Sequence, residues 1–217
     1  MLVYAISRDD ALAPAASELH EVCAAGLRAL VEPVDEPLSA DLEELVHYEE
    51  TVETVMRRHT ILPMRFGSIV DDEREVRDLL KARAREFASA LAQLDGAVEF
   101  GVQASLKPDS GPATAGGSAA GPGDSHMRAR LAEQHCRRDL QAWLDTALDG
   151  VVRKRAYRVT AVCALGSLSA AYLVDRADEG EFLERIEGLA ATADHTLSWS
   201  GPWPPYTFVE ELEASRR

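Results

Sequence analysis

The order of apolar segments after Val98 restricts this chain more than any other feature. "AVEFGVQASL" (97–106) has the length and apolar density of a strand. A helix is predicted from about His126 to Asp149, with Leu131, Leu140, Trp143, Leu144 and Leu148 as core candidates. "VVRKRAYRVTAVCAL", around 150–165, and "LSAAYLVDR" read as two further strands. "EGEFLERIEGLAATAD" reads as a helix with Phe182, Ile186 and Leu189 on one face, and "HTLSWSG" as a last strand. Strand, helix, strand, strand, helix, strand is the split βαβ, ferredoxin-like order.

The preceding residues mix both element types. "LVYAI" (2–6) reads as a strand, "ASELHEVCAAGLRAL" as a helix from about Ser17, and "LRALVEPV" as a second strand ended by Pro33 and Pro37. A helix follows, with Ser39 as N-cap and Asp41 in its first turn. Leu42, Leu45, Val46, Val52, Val55 and Met56 recur on it at helical spacing. "TILPMRFG" reads as a strand with Pro63 at an edge or bulge. A long helix then runs from near Asp72 to the stop at Gly96. This βαβαβα-like part and the later split βαβ part give an α+β fold of two domains, residues 1–95 and 96–200, with a tail at 201–217. Residues 107–125, "KPDSGPATAGGSAAGPGDS", are Gly, Ala, Ser and Pro. They are expected to form a flexible loop, a dispensable insertion within the second domain.

Composition excludes several partners. The 217 residues carry a net charge of −14, whereas nucleic acid and anionic membrane both demand a basic face. No stretch approaches the ~20 apolar residues that span a bilayer. The N-terminus has neither a basic start nor a long apolar run, so no signal peptide is expected. Three scattered cysteines, Cys23, Cys136 and Cys163, suit a reducing cytoplasm better than a disulfide framework. A soluble, cytoplasmic protein is expected.

Catalytic and metal patterns are weak. The histidines at 20, 47, 59, 126, 135 and 195 form no HExxH, and neighbouring His135 and Cys136 diverge by about 100° on a helix. "LGSLSAA" lacks the glycines of a nucleophile elbow. "FGSIVDDE" has one glycine and no GK[ST], and Asp71, Asp72 and Glu73 occupy the helix start where phosphate would sit. The aromatic residues Phe100, Trp143, Trp199, Trp203, Tyr206 and Phe208 read as core or tail anchors rather than a ligand box, because no convergent polar set accompanies them. No catalytic residue, metal ligand or cofactor is assigned.

Two surfaces remain. The helix after Ser39 carries glutamates that spread along a solvated face. Glu43, Glu44, Glu50 and Glu53 are the candidate docking face for a basic partner. The tail "GPWPPYTFVE" (201–210) packs prolines and aromatic residues where chain ends are usually polar and loose. Trp203, Pro204, Pro205, Tyr206 and Phe208 are its candidate anchors, and the tail is expected to pack across the two domains.

Four segments carry a resemblance: "ILPMRFGSIV" (61–70), "EFGVQASL" (99–106), "AAYLVDRADEGEFLERIEGL" (170–189) and "GPWPPYTFVE" (201–210). With the opening "LVYAI", these resemble the gas vesicle protein family GvpL/GvpF, in the family's order and over nearly the whole chain. The resemblance implies a non-enzymatic accessory or minor structural protein of gas vesicles, the gas-filled, protein-walled organelles of buoyancy. It implies a role in nucleating or assembling the shell and in keeping the small hydrophobic shell protein from aggregating. Partners would be that shell protein and other gas vesicle accessory proteins, and the location the gas vesicle. It also implies a C-terminal domain with a modified ferredoxin fold. The Gly/Ala/Ser/Pro segment departs from the family pattern. The competing expectations are a ferredoxin-like small-molecule-binding or catalytic domain, since that fold hosts many functions, and a generic oligomeric scaffold.

Overall fold

The computed structural model describes residues 1–9, 19–34, 38, 41–106, 122–158, 167–192 and 195–209. They divide into two compact units, one of residues 1–99 with the chain from 202, the other of residues 100–201. Each contains a four-stranded sheet, and the fold is α+β.

In the first unit, β1 (Leu2–Arg8), β2 (His20–Ala24), β3 (Leu27–Glu32) and β4 (Leu62–Pro63) lie in the order β2-β3-β1-β4. Every residue from Leu2 to Ser7 is buried, so the strand read from "LVYAI" is an interior one covered on both faces. β1 pairs antiparallel with β3 and β4, and β2 with β3. The helix expected from Ser17 is not formed. Its described part is a hairpin whose two-residue turn, Ala25 at φ 55° and Gly26 at φ 73°, has both central residues left-handed, as a tight hairpin requires. Strand pairing there overrides the helix propensity of Ala and Leu.

"ILPMRFGSIV" runs beside β1, but only Leu62 and Pro63 form a strand. Gly67, at φ 83°, turns the chain, and pairing resumes at Ile69 opposite Leu2. Between these points Met64 N–H donates to Tyr4 O (2.9 Å) and Val3 N–H to Ser68 O (2.9 Å). Pro63 sits on an edge strand, where its missing donor costs nothing.

The first unit has three helices: α1 (Leu42–Met56), α2 (Glu73–Ala82) and α3 (Ala84–Leu94). The N-cap of α1 is Asp41, not Ser39, which lies outside the described residues: Asp41 Oδ1 accepts Glu44 N–H at 3.0 Å. Its buried residues are Tyr48, Val52, Val55 and Met56. Leu42 and Val46, expected inside, are 78% and 46% exposed. The single helix expected from Asp72 to Gly96 is broken at Arg83, whose backbone leaves the helical region. Its guanidinium forks onto Glu86 (2.9 and 2.5 Å) and covers the Phe87 ring at 4.7 Å.

The second unit takes in β5 (Ala97–Leu106) from Phe100 on, α4 (Pro122–Ala147), β6 (Lys154–Arg158), β7 (Ser167–Asp175), a 3₁₀ turn (Arg176–Asp178), α5 (Glu179–Thr192) and β8 (His195–Trp203) as far as Gly201. Its sheet order is β6-β7-β5-β8. β7 thus lies between β6 and β5, which is what splits the βαβ unit, and the element order is the one read from Val98. β5 and β7 bury Phe100, Val102, Ala104, Leu168, Ala170, Tyr172 and Val174. Phe182 of α5 packs on Phe100 (4.8 Å between centroids) and Tyr172 (6.0 Å). Leu140, Leu144 and Leu148 are buried, but Leu131, also expected in the core, is 47% exposed. Residues 107–121 of the expected loop and 159–166 of the expected long strand lie outside the described residues. Pro122–Ser125, placed in the loop from sequence, belong to the backbone of α4.

Candidate functional site

The tail residues from Pro202 to Val209 belong to the first unit. Pro204 and Pro205 are buried, and a helical turn at 206–209 follows them, closed by Val209 N–H on Pro205 O at 3.1 Å. Two prolines fix φ just before the turn, so little entropy is lost on docking. Phe208 is fully buried and Tyr206 half-buried, while Trp203 is 41% exposed. Of the expected anchors, then, Pro204, Pro205 and Phe208 are interior residues.

The polar contact beneath the tail was missed from sequence. Glu99 on β5 is buried and takes two bonds from Thr207, one from the backbone N–H (2.9 Å) and one from the hydroxyl (2.6 Å). A buried carboxylate demands such donors. The signal was a lone Glu within the apolar run "AVEFGV" and a Thr within "PPYTFV".

A tyrosine cluster joins the tail to α1. Tyr206 OH donates to Glu49 Oε2 at 3.3 Å. Tyr48 stacks on Tyr4 (4.7 Å, 20°) and meets the edge of Phe66. Its hydroxyl donates to Met64 O at 2.7 Å, and Tyr4 OH donates to Glu32 Oε2 at 2.6 Å. Burial pushes the Tyr4, Tyr48 and Tyr206 phenols well above their ordinary range, with nearby carboxylates adding to it. Burial also raises Glu49, as does the charge of Glu53, while the bond from Tyr206 opposes the shift. These groups are neutral phenols beside a destabilised carboxylate, a packing arrangement rather than an acid–base pair.

The four acidic candidates do not act as one set. Glu43 and Glu50 are exposed and Glu53 is half-exposed, paired with Arg57 at 3.4 Å. Glu44 lies on the other flank of α1 and buries its Oε2. The solvent side of α1 therefore carries Leu42, Glu43, Val46, Glu50 and Glu53.

The second unit has a groove of about 270 Å³ lined by Gly101, Val102, Gln103, Ser169, Ser198, Trp199 and Ser200. A side chain at 101 would meet Ser200 Oγ at 3.2 Å. The lining offers hydroxyls, an amide and an indole, and no titratable group. Arg155 instead pairs with Asp145 (3.2 Å) and Asp149 (3.5 Å), and Tyr157 OH donates to Asp145. Among the described residues no three His, Cys, Asp or Glu side chains gather to hold a metal, and no helix is long and apolar enough to cross a membrane.

Residues 1–210 match the family model of the gas vesicle synthesis protein GvpL/GvpF. The chain belongs to this family. Its matched span takes in both units and the tail, so the role is one connected with gas vesicles. Gas vesicle protein L of a Streptomyces is 33% identical over 167 residues, 68% of this chain and 62% of that protein. The chain thus matches less than two thirds of that relative's length. Gas vesicle protein F of the same organism is 29% identical over 206 residues, 85% of this chain and 84% of that protein. The crystal structure of the gas vesicle protein GvpF from Microcystis aeruginosa superposes with a TM-score of 0.76 at 19% identity, covering 96% and 98% of the two chains. That likeness shows a shared fold.

Proposed function

We propose that this gas vesicle family member is a non-enzymatic accessory protein of shell nucleation and assembly. It binds the small hydrophobic shell protein and prevents its aggregation, within the cytoplasm and at the gas vesicle. The observation that carries the reading is the family match over residues 1–210 on a chain with a net charge of −14. A protein that lines a gas space exposes apolar patches before assembly, and such patches aggregate. A strongly charged partner masks them while keeping the complex dispersed. Other gas vesicle accessory proteins are further partners on the same reading. The ferredoxin-like ligand-binding alternative draws no support from the groove in the second unit, whose lining holds no acid, base or metal ligand.

The test is co-expression of the tagged chain with the shell protein, followed by fractionation and affinity capture. The expected result is shell protein in the supernatant and in the captured complex. Shell protein that pellets equally with and without this chain would overturn direct binding. A chain ending at Ser200 then reports whether the tail takes part in capture.

A further inference from the structure

Seven large apolar side chains are exposed among the described residues, and four of them form two pairs: Leu42 and Val46 on α1, Met127 (61%) and Leu131 on α4. Each pair is spaced i, i+4, so each makes one short apolar patch on one side of its helix. Exposed apolar residues are ordinary in themselves, and what marks these two pairs is their matching spacing and the charges around them.

The surroundings of the two patches are opposite in charge. α1 holds five glutamates and no lysine or arginine. From Met127 to Arg138, α4 holds four arginines and one glutamate. The spacing also agrees. On α1 the stripe runs Leu42, Val46, Glu53, and on α4 it runs Met127, Leu131, Arg138. Both stripes are i, i+4, i+11, about 16 Å along a helix axis. Laid side by side in parallel, they put apolar on apolar and acid beside base. Glu43 then faces the flank that carries Arg130, as flanking charges do across paired helices.

We propose that α1 of one copy docks in parallel on α4 of a second copy. Leu42 and Val46 cover Met127 and Leu131, and Glu43 and Glu53 lie beside Arg130 and Arg138. Each copy offers both patches, so the contact is head-to-tail and links copies into rings or open rows. The paired patches are short, two apolar residues on each helix, so the association is weak and reversible. This self-association stands apart from shell-protein binding.

The test is sedimentation equilibrium of the full chain from micromolar to submillimolar concentration. It is run at physiological ionic strength, where the repulsion of the −14 charges is screened over about 8 Å. Two charge-reversed variants are compared, Glu43→Arg with Glu53→Arg, and Arg130→Glu with Arg138→Glu. The wild type should gain mass with concentration, and each variant alone should stay monomeric. Equal mixing of the two should restore the gain, because each then meets an opposite helix. Leu42→Gln, at a 78% exposed site that does not affect folding, should weaken association about tenfold. A wild type that stays monomeric, reversals that leave association unchanged, or a mixture that fails to restore it would each overturn the proposal.

Discussion

Replacing Phe208 with Ala tests whether the tail is a structural part of the first unit. The ring is fully buried, so the substitution removes its transfer energy and leaves a cavity. Such changes cost about 3–5 kcal/mol. In a unit of roughly a hundred residues each kcal/mol is worth about 4 °C, so Tm should fall by roughly 12–20 °C. Trp203→Ala is the internal comparison. Trp203 is larger but 41% exposed, and its loss should lower Tm by less than about 4 °C. The assay is thermal unfolding of the full chain, followed by far-ultraviolet circular dichroism. If Phe208→Ala shifted Tm by less than Trp203→Ala, the tail would not be a docked element, and the burial argument would fail.

Thr207→Val keeps the shape of the side chain but removes the 2.6 Å donor to the Glu99 carboxylate. Leaving a buried oxygen without this partner costs about 1–3 kcal/mol, and urea unfolding should show a loss of that size with an unchanged slope. Tyr48→Phe removes the 2.7 Å bond to Met64 O and should cost about 0.5–1.5 kcal/mol in the same assay, with the stacked ring retained. Glu49 has a raised pKa in the folded state, so the fold holds its proton more tightly than the unfolded chain does. The stability this gives is full below the ordinary carboxylate range and lost as pH rises through the folded pKa. Glu49→Gln should therefore raise Tm relative to wild type at neutral pH, and the two curves should converge in acid. A constant difference at all pH values would count against it.

The legible part of the fold was the part whose periodicity and burial agree. "LVYAI" is apolar at every position because β1 is covered on both faces, and that run is visible without a structure. The split βαβ order was legible because β5, β7 and α5 carry clear apolar patterns, from Val98 to Ala104, from Leu168 to Val174 and through Phe182 and Ile186. The hairpin at 20–32 was not. Its residues favour helix locally, and only the pairing of β3 with β1 makes the extended form win. The break at Arg83 has no Gly or Pro to announce it. α1 shows the same limit from the other side. Leu42 and Val46 fit helical spacing as well as Val52 and Val55 do, and spacing cannot say which way a helix turns. Tyr48 decides it, because its hydroxyl reaches the Met64 carbonyl beside β1 and brings its own side of the helix inward. In the candidate site, buried Phe208 was legible from the tail's composition, whereas the Thr207–Glu99 contact joins positions more than a hundred residues apart.

The proposed role sets a requirement on surface chemistry. A partner that keeps a shell protein dispersed must hold apolar surface and then release it to the growing wall. A large apolar interface would bind too tightly to give way, since obligate contacts are the extensive hydrophobic ones. The exposed large apolar side chains among the described residues are few, and those on α1 and α4 are set among charges. Small apolar patches ringed by charge give weak, fast and salt-sensitive contacts. An assembly factor built this way would work by many short encounters rather than by one tight contact.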